Sequence, residues 1–272
     1  MLHEFKYEAP ATRAELFELL TRYQGKAKVL AGGTDLLVNI RNGVMAPEII
    51  IDLKKVDAYN GVSFNDAGTL HIGPTVTINE AMRDPFISAH FPLLQECGHD
   101  LASYQVRNRA TVTGNVVNAS PCSDMAPALL CLGAYALIAS ARGERTVPFN
   151  EFFTGVKKTV LAPDEVLEGI SIPSSSSGAK GKYKKLKRIN GHDLGIIGVA
   201  VVLVGGKINI AVSSAAPTPV MVSGLPMDIS SEDAQREVVR IISPISDVRC
   251  TREYREFMVG VFVRRLLGEV RG

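Results

Sequence analysis

A chain of 272 residues, 46% of them hydrophobic, is long enough to bury a large core as one big domain or as two or three smaller ones. Its formal net charge of +2 offers no broad basic surface to nucleic acid or anionic lipid. No apolar run reaches membrane-spanning length and MLHEFKYEAP carries no signal-peptide pattern, so a cytoplasmic protein without a membrane span is expected.

Thr12 and Glu15 make an S/T-x-x-E capping box before the helical pattern ELFELLTRY. KVLA reads as a short strand, the following glycine pair as a turn, and DLLVNIR as a short helix. EIIIDL (48–53) and TLHIG (69–73) are strands, and Thr77 with Glu80 forms a second capping box at the head of TINEAM. A helix around PLLQECGHDL leads into the irregular segment RNRATVTGNVVNASPCSD. MAPALLCLG is helical, AYALIAS strand-like, and EVLEGISIP (165–173) is the strand that closes this first region. SSSSGAKG (174–181) reads as a flexible polar connector between two domains. Beyond it, YKKLKRI and LGIIGVAVVLVGGKINIAVSSAA predict three strands, with Gly205 and Gly206 at a hairpin turn. Two helical patterns follow, and the last, TREYREFMVGVFVRRLL, sets Tyr254, Phe257, Met258, Val261 and Phe262 on one face. The irregular alternation of strands and helices predicts an α+β fold rather than a doubly wound parallel sheet.

The four cysteines (Cys97, Cys122, Cys131, Cys250) lack a C-x-x-C pair and the five histidines lack H-x-x-x-H spacing. Both patterns argue against a zinc site or an iron–sulfur cluster held by this chain, and the cysteines read as small buried hydrophobes.

Two segments could carry chemistry. In AGGTD the glycines can take positive φ and let a ligand approach the backbone, and a helix starting at Asp35 would aim free amides at a diphosphate. The motif is neither G-x-G-x-x-G nor a Walker loop. Read alone, it fits a tight strand-to-helix turn capped by Thr34 or Asp35 equally well. TVTGNVVNASPCSD (111–124) gathers Thr111, Thr113, Asn115, Asn118, Ser120 and Ser123 around Gly114, which suits a polyhydroxylated or phosphorylated ligand. Alone, a turn-rich connection with Ser120 or Ser123 capping the next helix fits slightly better.

Together the two segments resemble the flavin-binding subunit of the molybdenum hydroxylases, the group of the xanthine dehydrogenase and carbon monoxide dehydrogenase flavoproteins. The matching pieces are LAGGTDLLV, IGPTVTINEA, QVRNRATVTGNVVNASPCSDMAPALLCLGA, EVLEGISIP, AAPTPV and DVRCTREYREFMVGVFVRRLL, in the family's order and over nearly the full length. The resemblance implies an α+β fold: an FAD-binding domain of the PCMH/vanillyl-alcohol-oxidase type over 1–173, in subdomains of about 1–54 and 55–173. A linker at 174–181 and a C-terminal α+β domain at 182–272 would follow.

The resemblance further implies that Ala31, Gly32, Gly33, Thr34 and Asp35 line the FAD pyrophosphate, with Leu30 and Leu36 flanking them. Thr111, Gly114, Asn115, Asn118, Ser123 and Asp124 would contact phosphates, ribityl chain or flavin edge, and Leu101, Val166 and Leu167 would pack near the cofactor. Lys185, eight residues before Asp193, matches a lysine that approaches the flavin, where a cation favours an anionic reduced ring. The rest of the basic cluster Lys182, Lys184, Lys187 and Arg188 reads as a solvated strand. One departure is Thr113, which replaces the first of two glycines usual before the asparagine and raises a question about the local backbone.

By the same resemblance, FAD is held noncovalently, and no acid, base or nucleophile of this chain is catalytic. Molybdenum–pterin and 2Fe-2S clusters belong to a large and a small partner subunit, as a dimer of heterotrimers. Electrons would pass from the clusters through FAD to an external acceptor such as NAD, a quinone, a ferredoxin or oxygen. Two other readings stay open: a self-sufficient FAD-dependent oxidoreductase of the same fold, and a flavin-less assembly subunit.

Overall fold

Strand β1 (Lys6–Glu8), helix α1 (Arg13–Arg22), strand β2 (Ala27–Leu30), helix α2 (Leu36–Arg41) and strand β3 (Ile49–Asp52) form the first layer of the computed structural model, which describes residues 3–57 and 59–272. Met1, Leu2 and Ala58 fall within the first domain limits above and lie outside the described residues. The three strands pair in parallel in the order β1-β3-β2. Parallel neighbours need crossover connections, and the helical segments supply them. The central strand β3 is buried throughout, as its unbroken IIID run requires. At α1 the Thr12 hydroxyl accepts from the Glu15 amide, but the Glu15 carboxylate takes the amide of Ala11 rather than Thr12. The predicted capping box is therefore only half made. The second box, Thr77 with Glu80, is complete.

The second layer runs through β4 (Val62–Phe64), β5 (Leu70–Ile72), α3 (Ile78–Arg83), α4 (Pro85–His90), α5 (Pro92–Asp100), α6 (Tyr104–Arg107), α7 (Val112–Val117) and α8 (Ala126–Cys131). It continues through β6 (Tyr135–Ser140), β7 (Gly143–Pro148), α9 (Phe149–Phe152), β8 (Phe153–Gly155), β9 (Lys158–Thr159) and β10 (Val166–Ile172). The sheet order is β4-β5-β10-β6-β7, so EVLEGISIP lies at the centre of the sheet. Successive side chains of β10 serve two cores. Val166 enters the core of the first layer and Leu167 that of the second.

The C-terminal part is a meander of β11 (Lys180–Leu186), β12 (Ile197–Val204), β13 (Lys207–Ser213) and β14 (Val220–Pro226), followed by α10 (Ser231–Ile241) and α11 (Arg252–Arg271). Strand β12 reads IGVAVVLV without alternation because both of its faces are covered. Ile197, Val199 and Val201 pack with α10 and α11, whereas Ala200 and Val202 join the core of the second layer. Gly205 and Gly206 take φ of 56° and 73°, the left-handed pair a two-residue hairpin turn demands.

Two expectations change here. The buried stripe of α11 is Val259, Phe262, Val263, Leu266, Leu267 and Val270, while Tyr254 and Phe257 are exposed. At roughly 1.5–3 kcal/mol for each fully buried large aliphatic side chain, burial of the C-terminal half of the helix outweighs that of the aromatic pair near its start. The serine-rich connector is also tied down. Ser174–Ser176 form a 3-10 turn, the Ser176 hydroxyl donates to Leu132 O at 2.7 Å, and the Gly178 amide donates to His90 O at 2.7 Å. Cys97 and Cys131 are buried, but Cys122 and Cys250 are only half-buried. Among the described residues, no helix is long and apolar enough to cross a membrane.

Candidate functional site

The loop after β2 and the segment around α7 meet at one place. A Cβ on Gly32 would overlap the Arg109 carbonyl, lying 2.8 Å from its carbon and 3.0 Å from Ala110 Cα, so only glycine allows this backbone-to-backbone approach. Gly33 supplies the turn with φ of 76°. Asp35 precedes α2 but makes no cap; its Oδ1 accepts from Asn118 Nδ2 at 2.9 Å and ties the first loop to the second. Among the described residues, nothing accepts a hydrogen bond from the amides of Gly32, Gly33, Thr34, Asp35 or Leu36. Gly32, Gly33 and Thr34 are half-buried. A half-sheltered run of free amide donors fits an anionic diphosphate.

The second segment is more regular than its composition suggests. Thr111 caps α7 by accepting from the Gly114 amide at 2.9 Å. Thr113 lies inside that helix, and its hydroxyl donates to Pro74 O at 2.6 Å. Its backbone is helical, so the position does not need glycine, and the question raised by the missing glycine is resolved. Asn115 Oδ1 accepts from the Ser123 hydroxyl at 2.6 Å and the Met125 amide at 3.2 Å, which folds the SPCSD turn back on α7. Ser123 in turn accepts from the Ala126 amide at the head of α8.

Asp124 ends this segment in a buried polar cluster. Tyr183 donates to its Oδ1 at 3.1 Å and Lys185 Nζ to its Oδ2 at 2.9 Å, while Nζ also donates to Asp100 O at 3.1 Å. Burial pushes the Asp124 carboxyl above the usual carboxylate range, and Lys185 and the Tyr183 hydroxyl pull it part of the way back. Burial, then the nearby Asp124 charge, pushes the Tyr183 phenol well up, so it stays a neutral donor. The solvated-strand reading of the other lysines fails for two of them. Lys182 pairs with Glu96 and Lys187 with Asp100, so β11 is clamped onto α5. Arg188 pairs with Asp193.

Of the remaining predicted residues, Leu30 packs with Ile40 and Ile50 under Gly33, and Leu36 is partly buried against them. Leu101 is buried at the end of α5, and Val166 and Leu167 are buried in β10. Sequence reasoning missed Tyr183, although it lies two residues before Lys185 and shares its face of β11. It also missed Lys54, whose Nζ donates to Ala31 O at 3.2 Å, and Lys157, whose Nζ donates to Asn118 Oδ1 at 2.9 Å. Neither contact leaves a local sequence signal, because tertiary pairing makes both.

A second clamp joins the SPCSD turn to the C-terminal domain. Arg249 donates to both Asp247 and Gly195 O and lies 3.3 Å from Cys122 Sγ. Buried Arg255 donates to Ile196 O and Ser214 O. The Arg249 guanidinium holds the Asp247 carboxyl well below the usual range. Its stabilising contribution is thus present above the ordinary aspartate range, about pH 4, and fades as pH falls below it. Asp247→Asn is expected to flatten the acid limb of the stability curve, read by urea unfolding between about pH 2 and pH 5. An acid limb identical to that of the parent protein contradicts this assignment.

An α+β scaffold brings two loops together through Gly32 and Asp35 beside a run of free amides, and comparison with known proteins gives the class to which it belongs. Residues 3–175 match the family described as the FAD binding domain in molybdopterin dehydrogenase, and the chain belongs to that family. It is 31% identical to the carbon monoxide dehydrogenase medium chain of Hydrogenophaga pseudoflava over 97% of this chain and 96% of that one. It is 29% identical to the xanthine dehydrogenase FAD-binding subunit of Escherichia coli O157:H7 over 97% and 94%. The solved carbon monoxide dehydrogenase from Hydrogenophaga pseudoflava, in a form lacking the Mo-pyranopterin moiety, superposes with a TM-score of 0.91 at 31% identity, over 98% of this chain and 97% of that one. The fold is therefore that of the FAD-binding subunits of this oxidoreductase family, as the sequence pieces implied.

Proposed function

We propose that this chain is the FAD-carrying electron-transfer subunit of a cytoplasmic molybdenum hydroxylase. A large molybdopterin subunit and a small 2Fe-2S subunit complete the enzyme, as a dimer of heterotrimers. The observation that carries the reading is the run of free amides from Gly32 to Leu36, held against the second loop through Gly32 and Asp35. A flavin-less bridging subunit has no use for such a row of unsatisfied donors.

In this reading bound FAD would supply the redox carrier between the iron–sulfur clusters of the small subunit and an acceptor such as NAD, a quinone, a ferredoxin or oxygen. Residues 1–173 would hold the cofactor, and residues 182–272 would contribute Tyr183 and Lys185 behind Asp124. The amides from Gly32 to Leu36 would bind the diphosphate, and Thr111, Gly114, Asn115 and Asn118 would shape the neighbouring wall. Asp124, held by Tyr183 and Lys185, would present a buried polar group to the phosphates, ribityl chain or flavin edge. Leu101, Val166 and Leu167 would supply apolar packing near the cofactor, from the two faces of β10 and the end of α5. Substrate choice then rests with the large subunit.

The test is to purify the chain with its native partners and measure extractable FAD per chain together with bound molybdenum and iron. About one noncovalent FAD per chain is expected for a single site. A folded, colourless preparation without FAD overturns the reading. FAD present on a chain that co-purifies with neither metal moves it to a self-sufficient flavoprotein.

A further inference from the structure

The turn between β8 and β9 carries a residue that its backbone does not favour. Lys157 has φ of 59°, the left-handed region, where glycine or asparagine would sit with less strain. Its amide donates to Ala119 O at 2.9 Å, and Ala119 is itself left-handed at 45°. Two strained non-glycine residues are therefore locked to each other, immediately after Asn118. The effect is to set the lysine side chain on the second loop. Nζ donates to Asn118 Oδ1 at 2.9 Å, and the Asn118 amide donates to Asp35 at 2.9 Å.

The ammonium differs from the other two at these loops. Lys54 is neutralised by Asp52 and Lys185 by Asp124. Lys157 is exposed, and its hydrogen-bond partner is a neutral amide, so its positive charge stays available at the rim where the loops meet. Strain held at such a rim is a common mark of a functional position.

Resting on the reading of the loops as an FAD site, we infer that Lys157 is a cofactor-binding residue whose ammonium neutralises the FAD diphosphate, from outside the loop that supplies the free amides. The strained turn thus places a cation on the Asn118 side of the loop junction, next to the exposed carboxylate of Asp35.

The test uses the full-length chain stripped of flavin, with FAD affinity read by flavin fluorescence at low and at physiological salt. Lys157→Gln keeps a donor for Asn118 but removes the charge. It is expected to weaken FAD about tenfold, as for loss of one charged contact, and to lessen the salt dependence of binding. Lys157→Arg should restore both. Lys157→Gly should weaken FAD similarly while raising the melting temperature of the flavin-free chain, since glycine relieves the strain. Parent-like affinity in Lys157→Gln, or equal losses in the Gln and Arg variants, overturns the inference and leaves the loops' role intact. A parent chain that binds no FAD overturns the function proposed above as well.

Discussion

Gly32→Ala is expected to abolish FAD retention, whereas Gly33→Ala is expected to keep most of it, although Gly33 is the glycine with positive φ. At Gly33 the added methyl meets Leu30 Cδ1 at 2.8 Å and Leu37 Cδ1 at 3.2 Å, both ends of flexible side chains, and Leu37 is exposed. The cost is mainly the left-handed backbone, on the order of 1 kcal/mol. At Gly32 the methyl would overlap main chain, and that main chain cannot retreat. The amides of Arg109 and Ala110 donate to Val106 O, and Ala110 O accepts from Ile78 at 2.8 Å. The loops must therefore part, at a cost of about 3 kcal/mol or more, corresponding to a hundredfold or greater loss of FAD affinity. Equilibrium dialysis against FAD gives the affinities, and urea unfolding of the flavin-free chains shows how much of the loss is stability. Retention in Gly32→Ala comparable to the parent, or a larger loss in Gly33→Ala, contradicts the close-approach argument.

How much of this site could be read in advance depended on whether its signals were local. AGGTD and TVTGNVVNASPCSD stood out because turn residues and short donors cluster in them, and the capping pair Thr77–Glu80 was legible from spacing alone. The parallel first sheet was not legible, since β1 has three residues and its pairing with Ile49–Ile51 is long-range. Helix α7 hid inside the second segment because Thr, Gly and Asn have weak helix propensity and only the Thr111 cap and the surrounding contacts hold its six residues. On α11 the predicted face holds from Met258 to Phe262 but not at Tyr254 and Phe257, because Arg255 occupies the buried position in the first turns. Lys182 and Lys187 read as solvated because their partners, Glu96 and Asp100, lie far back in the chain. Ion pairs formed across domains leave no periodic trace.

Lys185→Met is expected to cost more stability than any other single change on β11. Among the described residues Lys185 is the one charged partner of Asp124, and both side chains are almost fully withdrawn from water. Removing the ammonium leaves a buried carboxylate with only the Tyr183 hydroxyl, a loss of about 3–5 kcal/mol near neutral pH. The pH dependence has a definite sign. Burial already raises the folded-state affinity of Asp124 for a proton, and loss of the cation raises it further. Between the ordinary aspartate range, about pH 4, and the raised folded value, the folded variant holds a proton that the unfolded chain does not. Stability of Lys185→Met should therefore be nearest to the parent at acid pH and fall away as pH rises. Asp124→Asn in the same chain should recover much of the loss, because a neutral amide needs no counter-charge. Urea unfolding of the two single variants and the double variant at several pH values gives the coupling directly. A Lys185→Met loss that is the same at every pH, or one that Asp124→Asn deepens, would mean that packing of the lysine stem, and not its charge, holds β11 to the flavin domain.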